Sequence, residues 1–351
     1  MSRGRVRDYG LKPGYLPTGK YNTIADVDGV GVGHCTLIEG DDIRTGVTAI
    51  TPHGGNLYED KVSAAIDVFN GYGKSVGLSQ IINEGVIETP IMLTETLNTY
   101  RVADALVDYF PDKLGYTPRS LNSVVGETNG GYLTDNQQRR IGKEEVYEAI
   151  TEAQNCSGTV AEGNVGSGTP MTGYGFKGGI GTSSRKVGKG TIGVLVQLNC
   201  GRKEDLTVLG APVGREVKLP EKPEVSPGNS IMMIVATDVM LESRQLWKLA
   251  KRTMLGLART GSFSSNGSGD YSIAFTTGKL SRADFAESID ASPVGDGFLS
   301  ILYSGVVETT EEAVLNALFK AETMQGYQGH IRYGLPIDDT LAVLERHGLG
   351  K

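Results

Sequence analysis

The stretch "RTGSFSSNGSGDYSIAF", residues Arg259–Phe275, joins a helix-like run to a strand-like run. Between those runs the chain is rich in turn-forming residues, with four serines, three glycines and one asparagine. The Asn-Gly pair at 266–267 is a strong turn signal, and the Ser-Gly-Asp that follows is common in loops. From local spacing alone, the simplest interpretation is a turn that leads into a strand.

A second interpretation is that the chain cleaves itself at this turn. A serine hydroxyl is a weak nucleophile and needs a base. If the bond between Gly267 and Ser268 broke, Ser268 would carry an α-amine with a pKa of about 7.7–8.0 beside its own hydroxyl. One residue would then supply both nucleophile and base, as in N-terminal nucleophile enzymes. Ser262, which follows Gly261, is a rival nucleophile by the same local argument.

The composition is that of a globular protein with a sizeable core. The chain has 351 residues, of which 39% are hydrophobic, enough for one large domain or two modest ones. Its net charge of −7 is spread without a long basic run, so neither nucleic acid nor an anionic membrane is an expected partner. The sequence contains no run of about 18 apolar residues, so no membrane-spanning helix is predicted. The three cysteines form no CxxC pair, which favours a reducing compartment and a cytoplasmic location.

No metal or organic cofactor is expected. The four histidines, His34, His53, His330 and His347, show neither an HExxH motif nor another close ligand spacing. The glycine-rich segment 162–184 lacks the GxxxxGKS/T pattern of a phosphate loop, so it is not predicted to bind a nucleotide. We interpret this segment as irregular backbone that shapes a site or a subunit contact.

Strand-like and helix-like runs alternate along the chain, which predicts a mixed α/β fold. The apolar, β-branched runs "GTIGVLVQLN" and "IMMIVATDV" predict buried strands. The run "VVETTEEAVLNALFKAET" predicts a helix capped at Thr309 or Thr310, in which Thr309 and Glu312 fit a capping box. The charged, proline-bearing segment 218–230 is the most linker-like part of the chain, but it is too short to divide domains.

Several motifs, dispersed in a shared order over nearly the whole chain, make the sequence resemble one known family. They are "GYLPTGKYNTIADVDGVGVGHCTL", "TGVTAI", "ETPIMLTETLNT", "VVGETNGGYLTD", "GNVGSGTPMTGYGFKGGIGTSSR", "VLVQLNCG", "NGSGDYSIAF" and "ETTEEAVLNAL". The chain resembles the DmpA family of self-processing serine aminopeptidases, peptidase family S58. This family includes L-aminopeptidase/D-esterase-amidases and β-peptidyl aminopeptidases.

The resemblance implies a four-layer αββα sandwich similar to that of N-terminal nucleophile hydrolases, with DmpA-type strand connectivity. It implies a single domain of 351 residues that is cut between Gly267 and Ser268 into an α chain, 1–267, and a β chain, 268–351. Because the nucleophile of the family heads the SGD strand entrance, the resemblance selects Ser268 over Ser262. It also implies a homo-oligomer, commonly a tetramer of processed αβ units.

Three residues outside the turn are assigned to the site by the resemblance. Asn199, in "VQLNCG", matches the asparagine whose side-chain amide helps to form the oxyanion hole. Glu127, in "VVGETNGGYLTD", matches an acidic residue near the free amino group of the substrate, where a carboxylate accepts a charge-assisted hydrogen bond. Tyr132 would line the same pocket. Without the resemblance, the three residues fit a turn asparagine, a solvated loop acid and a packing aromatic.

The motif "ETTEEA" carries two further residues of the implied site. The family places there a hydroxyl residue and a glutamate that orient the nucleophile and its amine. We map them to Thr309 and Glu311, with Thr310 and Glu308 as alternatives in register. A helix cap and a catalytic role are compatible on such neighbouring residues.

The sequence departs from the family pattern at three positions. Asn129 stands where the family often has an aspartate, Glu95 where an asparagine is common, and Pro170 where a glycine is frequent. All three lie in loops that the resemblance assigns to the pocket rather than to the nucleophile. They therefore affect the expected substrate preference and not the reaction class.

The predicted function is that of an autoprocessing serine aminopeptidase or amidase. It would remove the N-terminal residue from short peptides, amino-acid amides or esters with a free N-terminus, through an acyl-enzyme on Ser268. One alternative is a self-cleaving acyltransferase of the ornithine acetyltransferase type, which normally exposes a threonine rather than a serine. The other is an unprocessed, non-catalytic relative that binds a ligand. The sequence leaves open whether L-, D- or β-residues are preferred.

Overall fold

The computed structural model describes residues 3–220 and 229–350. Residues 221–228 of the linker-like segment therefore lie outside the described residues. The strands are, in chain order, β1 (Gly31–Glu39), β2 (Ile43–Thr51), β3 (Val62–Gly71), β4 (Val86–Ile87), β5 (Ile91–Glu95), β6 (Val124–Thr128), β7 (Thr172–Gly173), β8 (Phe176–Lys177), β9 (Gly179–Val187), β10 (Gly190–Asn199), β11 (Ser230–Val239), β12 (Gly269–Leu280), β13 (Met324–Gln325) and β14 (Ile331–Arg332).

The α-helices lie between these strands or follow them. They are α1 (Leu78–Glu84), α2 (Thr99–Leu114), α3 (Lys143–Gln154), α4 (Val213–Glu216), α5 (Ser243–Ala250), α6 (Thr253–Arg259), α7 (Arg282–Ser288), α8 (Leu299–Lys320) and α9 (Ile337–Arg346). Short 3-10 turns occupy Val6–Tyr9, Ile24–Asp26, Thr96–Asn98, Asn136–Gln138, Gly166–Gly168, Lys203–Asp205 and Tyr327–Gly329.

Most of the strands form two sheets. The small sheet has the order β1-β2-β5-β6, and the large sheet has the order β4-β3-β12-β11-β10-β9. The neighbours β5 and β6 run parallel, as do β11 and β12, while the other pairs within the two sheets run antiparallel. Helices make the crossovers that parallel pairs require: α2 connects β5 to β6, and α5 and α6 connect β11 to β12.

The two sheets stack face to face, and helices cover their outer faces. The core between the sheets includes Val32, Ile50, Leu93, Val124, Leu195, Ile234, Ile273 and Phe275. The core between the small sheet and its helices includes Val47, Met92, Val102, Leu106, Phe110, Val146 and Ile150. The core between the large sheet and its helices includes Val194, Val196, Met233, Ala274, Leu246, Leu257, Val314 and Leu318. This arrangement is a four-layer αββα sandwich, which confirms the predicted fold.

The strand β12 shows how the sequence produces this layering. Side chains alternate between the two faces of a strand, so a strand buried on both faces is apolar at nearly every position. Tyr271, Ile273 and Phe275 point into the core between the sheets, whereas Ala274 belongs to the core under the helices. Because both faces are covered, this strand is buried along most of its length. The predicted buried strands "GTIGVLVQLN" and "IMMIVATDV" are likewise confirmed as β10 and β11.

The helix that carries "ETTEEA" begins earlier than the sequence predicts. It starts at Leu299, so the prediction of a cap at Thr309 or Thr310 is wrong. Both hydroxyls instead donate within the helix, from Thr309 Oγ1 to the Gly305 carbonyl at 2.5 Å and from Thr310 Oγ1 to the Val306 carbonyl at 2.8 Å. Such back-bonding occupies both hydroxyls inside the helix, where the backbone N–H groups already have intrahelical partners and need no cap.

The predicted capping box fails for a second reason. Glu312, its acidic member, is fully buried and accepts hydrogen bonds from Arg7 at 2.7 Å and from Arg185 at 2.6 Å. Two guanidinium groups therefore neutralise this carboxylate in the interior, where an unpaired charge would be costly. The contacts join α8 to β9 and to the N-terminal segment of the chain.

The glycine-rich segment 162–184 is only partly irregular. Its last residues enter β9, an edge strand of the large sheet, and α8 lies directly over that strand. A Cβ atom placed on Gly181 would come within 2.0 Å of the Ala313 carbonyl oxygen and 2.5 Å of the Ala317 nitrogen. Only glycine therefore allows the helix backbone to approach the sheet this closely.

None of the helices among the described residues is long and apolar enough to cross a membrane. The longest, α8, is buried over most of its length, but acidic and hydroxyl side chains interrupt its sequence. Its burial is thus explained by packing on the large sheet.

We expect Gly181→Val to destabilise the fold by about 3 kcal/mol, since overpacking against backbone forces a shift of the helix. Urea denaturation of the purified protein measures the change. Gly54→Val is the matched control, because a Cβ atom at Gly54 meets nothing within 4 Å, and its effect should stay within about 0.5 kcal/mol. Equal stability of the two variants would contradict the close helix–sheet contact.

Candidate active site

Ser268 lies at the boundary between an exposed loop and the buried strand β12. Gly267 is exposed and adopts a left-handed φ of 89°, whereas Ser268 is fully buried. The Ser268 N–H donates to the Ser265 carbonyl at 3.2 Å, and the Ser268 carbonyl accepts from the Tyr72 N–H at 3.4 Å. Glycine adopts this left-handed conformation without a steric cost, and the turn thus places Ser268 at the end of the large sheet.

The Ser268 hydroxyl has a carboxylate as its partner. Its Oγ donates to Asp270 Oδ1 at 2.6 Å. The contact follows from the strand, because residues two apart lie on the same face. Asn70, on the neighbouring strand β3, donates to the other carboxylate oxygen of Asp270 at 2.9 Å. Burial raises the pKa of Asp270, although hydrogen bonds from Ser268 and Asn70 oppose that rise.

The rival nucleophile Ser262 lies near Ser268. Both serines line a small cavity at the end of the large sheet, together with Cys200, Asn229 and Ser265. The Ser262 hydroxyl accepts from the Ser264 N–H at 3.3 Å, so it stabilises the loop. Burial raises the pKa of the Cys200 thiol, with the charge of Asp270 adding to the effect, so Cys200 is a poor nucleophile here.

Asn199 is the last residue of β10 and lies at the same end of the large sheet as Ser268. In the strand register Asn199 pairs with Ser230, which in turn pairs with Gly269. Two strand spacings, about 10 Å, therefore separate Asn199 from the head of β12. The side chain of Asn199 is buried; its Nδ2 donates to the Asn129 carbonyl at 2.9 Å, and its Oδ1 accepts from the Thr172 N–H at 2.8 Å.

Glu127 lies near Asn199, since it is the penultimate residue of β6 and Asn199 contacts Asn129, which directly follows that strand. It is only 1% exposed, unlike the solvated loop acid that local sequence suggests. One carboxylate oxygen accepts from the Lys74 N–H at 2.8 Å, while the other is buried without a hydrogen-bond partner in the described chain. A buried, unpartnered carboxylate oxygen is a strong acceptor for a cationic group.

Tyr132 sits in a stack of aromatic and cationic groups. Its ring stacks on His330 with the centroids 4.4 Å apart, and the Arg332 guanidinium lies 3.6 Å from its centroid. His330 also makes a hydrogen bond of 2.9 Å with the Tyr132 carbonyl. Both partners come from the C-terminal segment around β14, so Tyr132 joins that segment to the loop after Glu127.

Thr309 and Glu311 lie in the middle of α8, and their hydrogen bonds go to groups other than Ser268. Thr309 donates to Gly305 as described above, and Glu311 accepts from Arg259 at 3.1 Å. Burial raises the pKa of Glu311, and the Arg259 guanidinium opposes that rise. Because Arg259 is the last residue of α6, Glu311 anchors the end of that helix, directly before the loop that leads to Ser268.

The two alternatives in register are also occupied. Thr310 donates to Val306, and Glu308 accepts from the Leu16 N–H at 3.0 Å and from Arg185 at 3.2 Å. Glu308 thus belongs to the ion-pair network of Arg185 and Glu312, while Glu311 pairs with Arg259 at the end of α6.

The sequence reasoning missed the carboxylate partner of the serine and the residue that holds this carboxylate. Asp270 stands two residues after Ser268 in the quoted turn, and the alternation of a strand would have predicted the contact. Asn70 is distant in sequence, and only the pairing of β3 with β12 brings it to Asp270. Among the described residues, no group of three or more His, Cys, Asp or Glu side chains is placed to hold a metal ion.

Glu95, one of the departures from the family pattern, is a buried acid close to Glu127. It is fully buried and accepts weakly from the Leu97 N–H at 3.3 Å, while its other oxygen lacks a hydrogen-bond partner within the described residues. Burial raises the pKa of Glu95 to about 8, and the negative charge of Glu127 contributes to the rise. Near neutral pH the folded protein therefore holds Glu95 mainly as a neutral acid.

We expect Glu95→Gln to stabilise the protein more at pH 8 than at pH 5. The folded pKa of about 8 exceeds the ordinary value of about 4.3, so the stability that the neutral acid contributes is full below pH 4.3 and is lost as the pH rises toward 8. Glutamine does not titrate, so the free energy of unfolding should shift in its favour by at least about 1.4 kcal/mol, one pKa unit. Urea denaturation at both pH values measures this difference.

Glu88→Gln is the control for that experiment. Burial would raise the pKa of Glu88, but hydrogen bonds from Asn122 and Gln80 outweigh burial and lower it. This carboxylate is ionised in both states above pH 5, so the difference between Glu88→Gln and the wild type should not change from pH 5 to pH 8. A Glu95→Gln difference that is equally constant would show that Glu95 is not protonated in the folded protein.

With this geometry in hand, the chain can be compared with known proteins. A sequence model of peptidase family S58 matches residues 22–332. The β-peptidyl aminopeptidase BapA of Sphingosinicella xenopeptidilytica is 36% identical over 372 aligned positions, which cover 97% of this chain and 91% of the relative. BapA of Sphingosinicella microcystinivorans is also 36% identical, over 98% of this chain and 92% of the relative.

Two solved structures share the fold. A β-aminopeptidase of Burkholderia sp. superposes with a TM-score of 0.87 at 38% identity, over 99% of this chain and all of the other. The L-aminopeptidase D-Ala-esterase/amidase of Ochrobactrum anthropi, described as a prototype of the serine aminopeptidases and a new variant of the Ntn hydrolase fold, superposes with a TM-score of 0.85 at 35% identity, over 99% of each chain. Family match, sequence identity and shared fold agree: the chain belongs to peptidase family S58.

Proposed function

We propose that this member of peptidase family S58 is a serine aminopeptidase that matures by cutting itself between Gly267 and Ser268. The observation that carries the proposal is the position of Ser268, a buried serine whose hydroxyl is hydrogen-bonded to a carboxylate, directly after an exposed left-handed glycine. The curated relatives are named as aminopeptidases, which supports the same reaction class.

Cleavage would change the chemistry of Ser268. The cut leaves a large chain, 1–267, and a small chain, 268–351, whose first residue carries a free α-amine. This amine lies next to the Ser268 hydroxyl and, with a pKa of about 7.7–8.0, is partly neutral near pH 7. It can therefore accept the hydroxyl proton as Oγ attacks the carbonyl carbon of a substrate.

Turnover would proceed through an acyl-enzyme. The attack of Ser268 Oγ forms a tetrahedral oxyanion, and its collapse releases the amine product with the proton that the α-amine held. Water then hydrolyses the ester and frees the N-terminal residue of the substrate.

We assign the stabilisation of the oxyanion to Asn199. Its amide carries two N–H groups, of which one is used by the Asn129 carbonyl at 2.9 Å. A neutral amide donor held by a second hydrogen bond, from Thr172 to Oδ1, is pre-oriented, which is the property that oxyanion stabilisation requires. The strand register supports this role because it places Asn199 at the same end of the large sheet as Ser268.

We assign the recognition of the substrate ammonium to Glu127. Its buried, unpartnered oxygen offers a charge-assisted acceptor, and its other oxygen is held by the Lys74 N–H. Such a site selects substrates with a free N-terminus, since a blocked amine leaves the carboxylate unpaired. Tyr132, in the loop that follows β6, would line the pocket.

We assign Thr309 and Glu311 to the orientation of Ser268 and its new α-amine. In the uncut chain Glu311 is paired with Arg259, the last residue of α6, which directly precedes the loop that cleavage would release. A cut after Gly267 frees the end of this loop, which would let Glu311 approach the new chain terminus. Thr309 lies two residues before Glu311 on the same helix.

The substrates would be short peptides, amino-acid amides or esters. One relative is named as a β-peptidyl aminopeptidase and one solved structure as an L-aminopeptidase and D-Ala-esterase/amidase, so these names support substrates of this size without selecting one stereochemistry. We also propose a cytoplasmic location, since all three cysteines are free, and a tetramer of processed units.

Mass spectrometry of the purified protein tests self-cleavage. We expect two chains of about 28 and 9 kDa, obtained by dividing 37.3 kDa in proportion to residue count. The N-terminal residue of the smaller chain should be Ser268. Ser268→Ala should remain one inactive chain because it lacks the nucleophile.

Ser262→Ala is the matched control for that test, since it removes the neighbouring serine of the same loop. We expect it to be cut at the wild-type rate. Cleavage of Ser268→Ala, or a Ser262→Ala protein that stays whole, would move the nucleophile away from Ser268. An intact wild-type chain that is fully active would overturn the proposed maturation.

Steady-state kinetics test the role of Glu127. Glu127→Gln keeps the acceptor for the Lys74 N–H but removes the charge, so kcat/KM for an amino-acid amide should fall about 10–100-fold, the value of a charged hydrogen bond. Glu88→Gln, a buried glutamate paired with Asn122 near the other end of β6, should leave kcat/KM unchanged. An unchanged kcat/KM in Glu127→Gln would exclude this carboxylate from substrate recognition.

A further inference from the structure

The helix α8 carries a polar stripe along one face. Residues four apart lie on the same side of a helix, and the stripe has this spacing: Glu308, Glu312, Asn316 and Lys320. The first three of these side chains are buried. Buried polar groups need hydrogen-bond partners, so the stripe indicates that a segment with complementary groups lies along this face of the helix.

The N-terminal segment 3–16, here called the strap, supplies those partners. At one end of the stripe, the Leu16 N–H donates to a carboxylate oxygen of Glu308 at 3.0 Å. One turn further along the helix, Arg7 donates to both carboxylate oxygens of Glu312, at 2.7 and 2.9 Å. Both members of each pair are distant in sequence, so folding of the whole chain is needed to bring them together.

The contacts continue to the end of the helix. The Val6 N–H donates to Asn316 Oδ1 at 3.0 Å. Arg3 donates through Nε to the Phe319 carbonyl at 2.8 Å, and the Arg3 carbonyl accepts from Lys320 Nζ at 2.8 Å. As the residue number rises along α8 it falls along the strap, so the strap runs antiparallel to the helix over about three turns.

Charge complementarity between the strap and the helix is centred on Glu312. The carboxylate of this residue is fully buried between Arg7 of the strap and Arg185 of β9. Arg185 also pairs with Glu308 at 3.2 Å. Removing one partner of a buried ion pair is strongly destabilising, because the remaining charge is left uncompensated. Arg7 is therefore the residue of the strap whose loss should weaken the contact most.

The strap also buries apolar side chains against the same helix layer. Val6 and Leu11 belong to the core between the large sheet and its helices. The ring centroid of Tyr9 lies 5.7 Å from that of Phe319. Since β9 covers another side of α8, the helix is enclosed between the large sheet and the strap.

We propose that the strap is the surface of the large chain that retains the small chain after maturation. The proposal rests on the proposed cut between Gly267 and Ser268. The strap belongs to the large chain, 1–267, and α8 belongs to the small chain, 268–351, so every contact of the stripe joins two separate polypeptides once the bond is cut. The small chain is then held at two places, by the pairing of β12 within the large sheet and by the strap on α8.

The cut changes what these contacts have to do. In the uncut chain, a detached α8 returns readily because the covalent link keeps its effective concentration high. After the cut, a detached small chain diffuses away from the large chain. Retention then depends on the non-covalent contacts and on how slowly they break.

Exchange of small chains between molecules tests the proposal. Cut protein labelled with heavy nitrogen is mixed with unlabelled cut protein in urea below the unfolding midpoint, and native mass spectrometry follows the appearance of pairs with one heavy and one light chain. Arg7→Met keeps the apolar part of the side chain but leaves Glu312 with one guanidinium partner. We expect mixed pairs to form at least about 100-fold faster in this variant than in the wild type.

Val146→Ala is the matched control for a general loss of stability. Val146 is fully buried in the core between the small sheet and its helices, all of whose residues belong to the large chain. Removing its methyl groups destabilises the fold without touching the small chain. Mixed pairs should therefore form less than about tenfold faster than in the wild type, since local opening at α8 does not involve this layer. Equal acceleration by Val146→Ala and Arg7→Met would overturn the proposal.

Arg3→Met covers the case in which Arg7→Met does not fold or is not cut. Arg3 donates to the carbonyls of Phe319 and Leu335, both in the small chain, and we expect about tenfold faster exchange when these hydrogen bonds are lost. Exchange at the wild-type rate in a folded, cut strap variant would exclude the strap from holding the small chain. A wild-type chain that stays whole would instead refute the proposed cut.

Discussion

The pairing of β12 with β3 on one side and β11 on the other is the interaction on which the rest of the molecule depends. It places a strand from the last quarter of the sequence in the middle of the large sheet. Ser268 is positioned by this pairing, since the ladder begins at Gly269. The same pairing brings Asn70 to Asp270. A loop serine thereby acquires a fixed, buried environment that its local sequence alone would not provide.

The site draws on both sheets. Ser268 and Asn199 lie at one end of the large sheet, and the small sheet supplies Glu127 near the end of β6. The hydrogen bond from Asn199 to the Asn129 carbonyl, just after β6, connects the two sheets at this end. The helix layer contributes through Glu311, whose contact with Arg259 fixes the end of α6 just before the loop. Packing of α8 on β9, which Gly181 permits, is therefore part of what positions the site.

The apolar, β-branched runs predicted the buried strands of a mixed α/β fold, and the resemblance carried by the ordered motifs predicted the four-layer sandwich. The site residues rest on the same resemblance and stay predictions. The start of α8 could not be predicted in this way, since hydroxyls at Thr309 and Thr310 fit a cap as well as back-bonding. The contact of Asn70 with Asp270 depends on strand pairing across about 200 residues, which local pattern does not encode. The burial of Glu127 depends equally on the stacking of the sheets.

The central position of β12 has a consequence for the life of a matured molecule. The small chain 268–351 would hold β12 and α8, while the strands on either side of β12 would belong to the other polypeptide. After denaturation, two separate polymers would have to meet before the sheet could close, so recovery would depend on protein concentration. Longevity in the cell would then rest on slow unfolding rather than on reversible equilibrium, and each molecule would in effect be assembled only once.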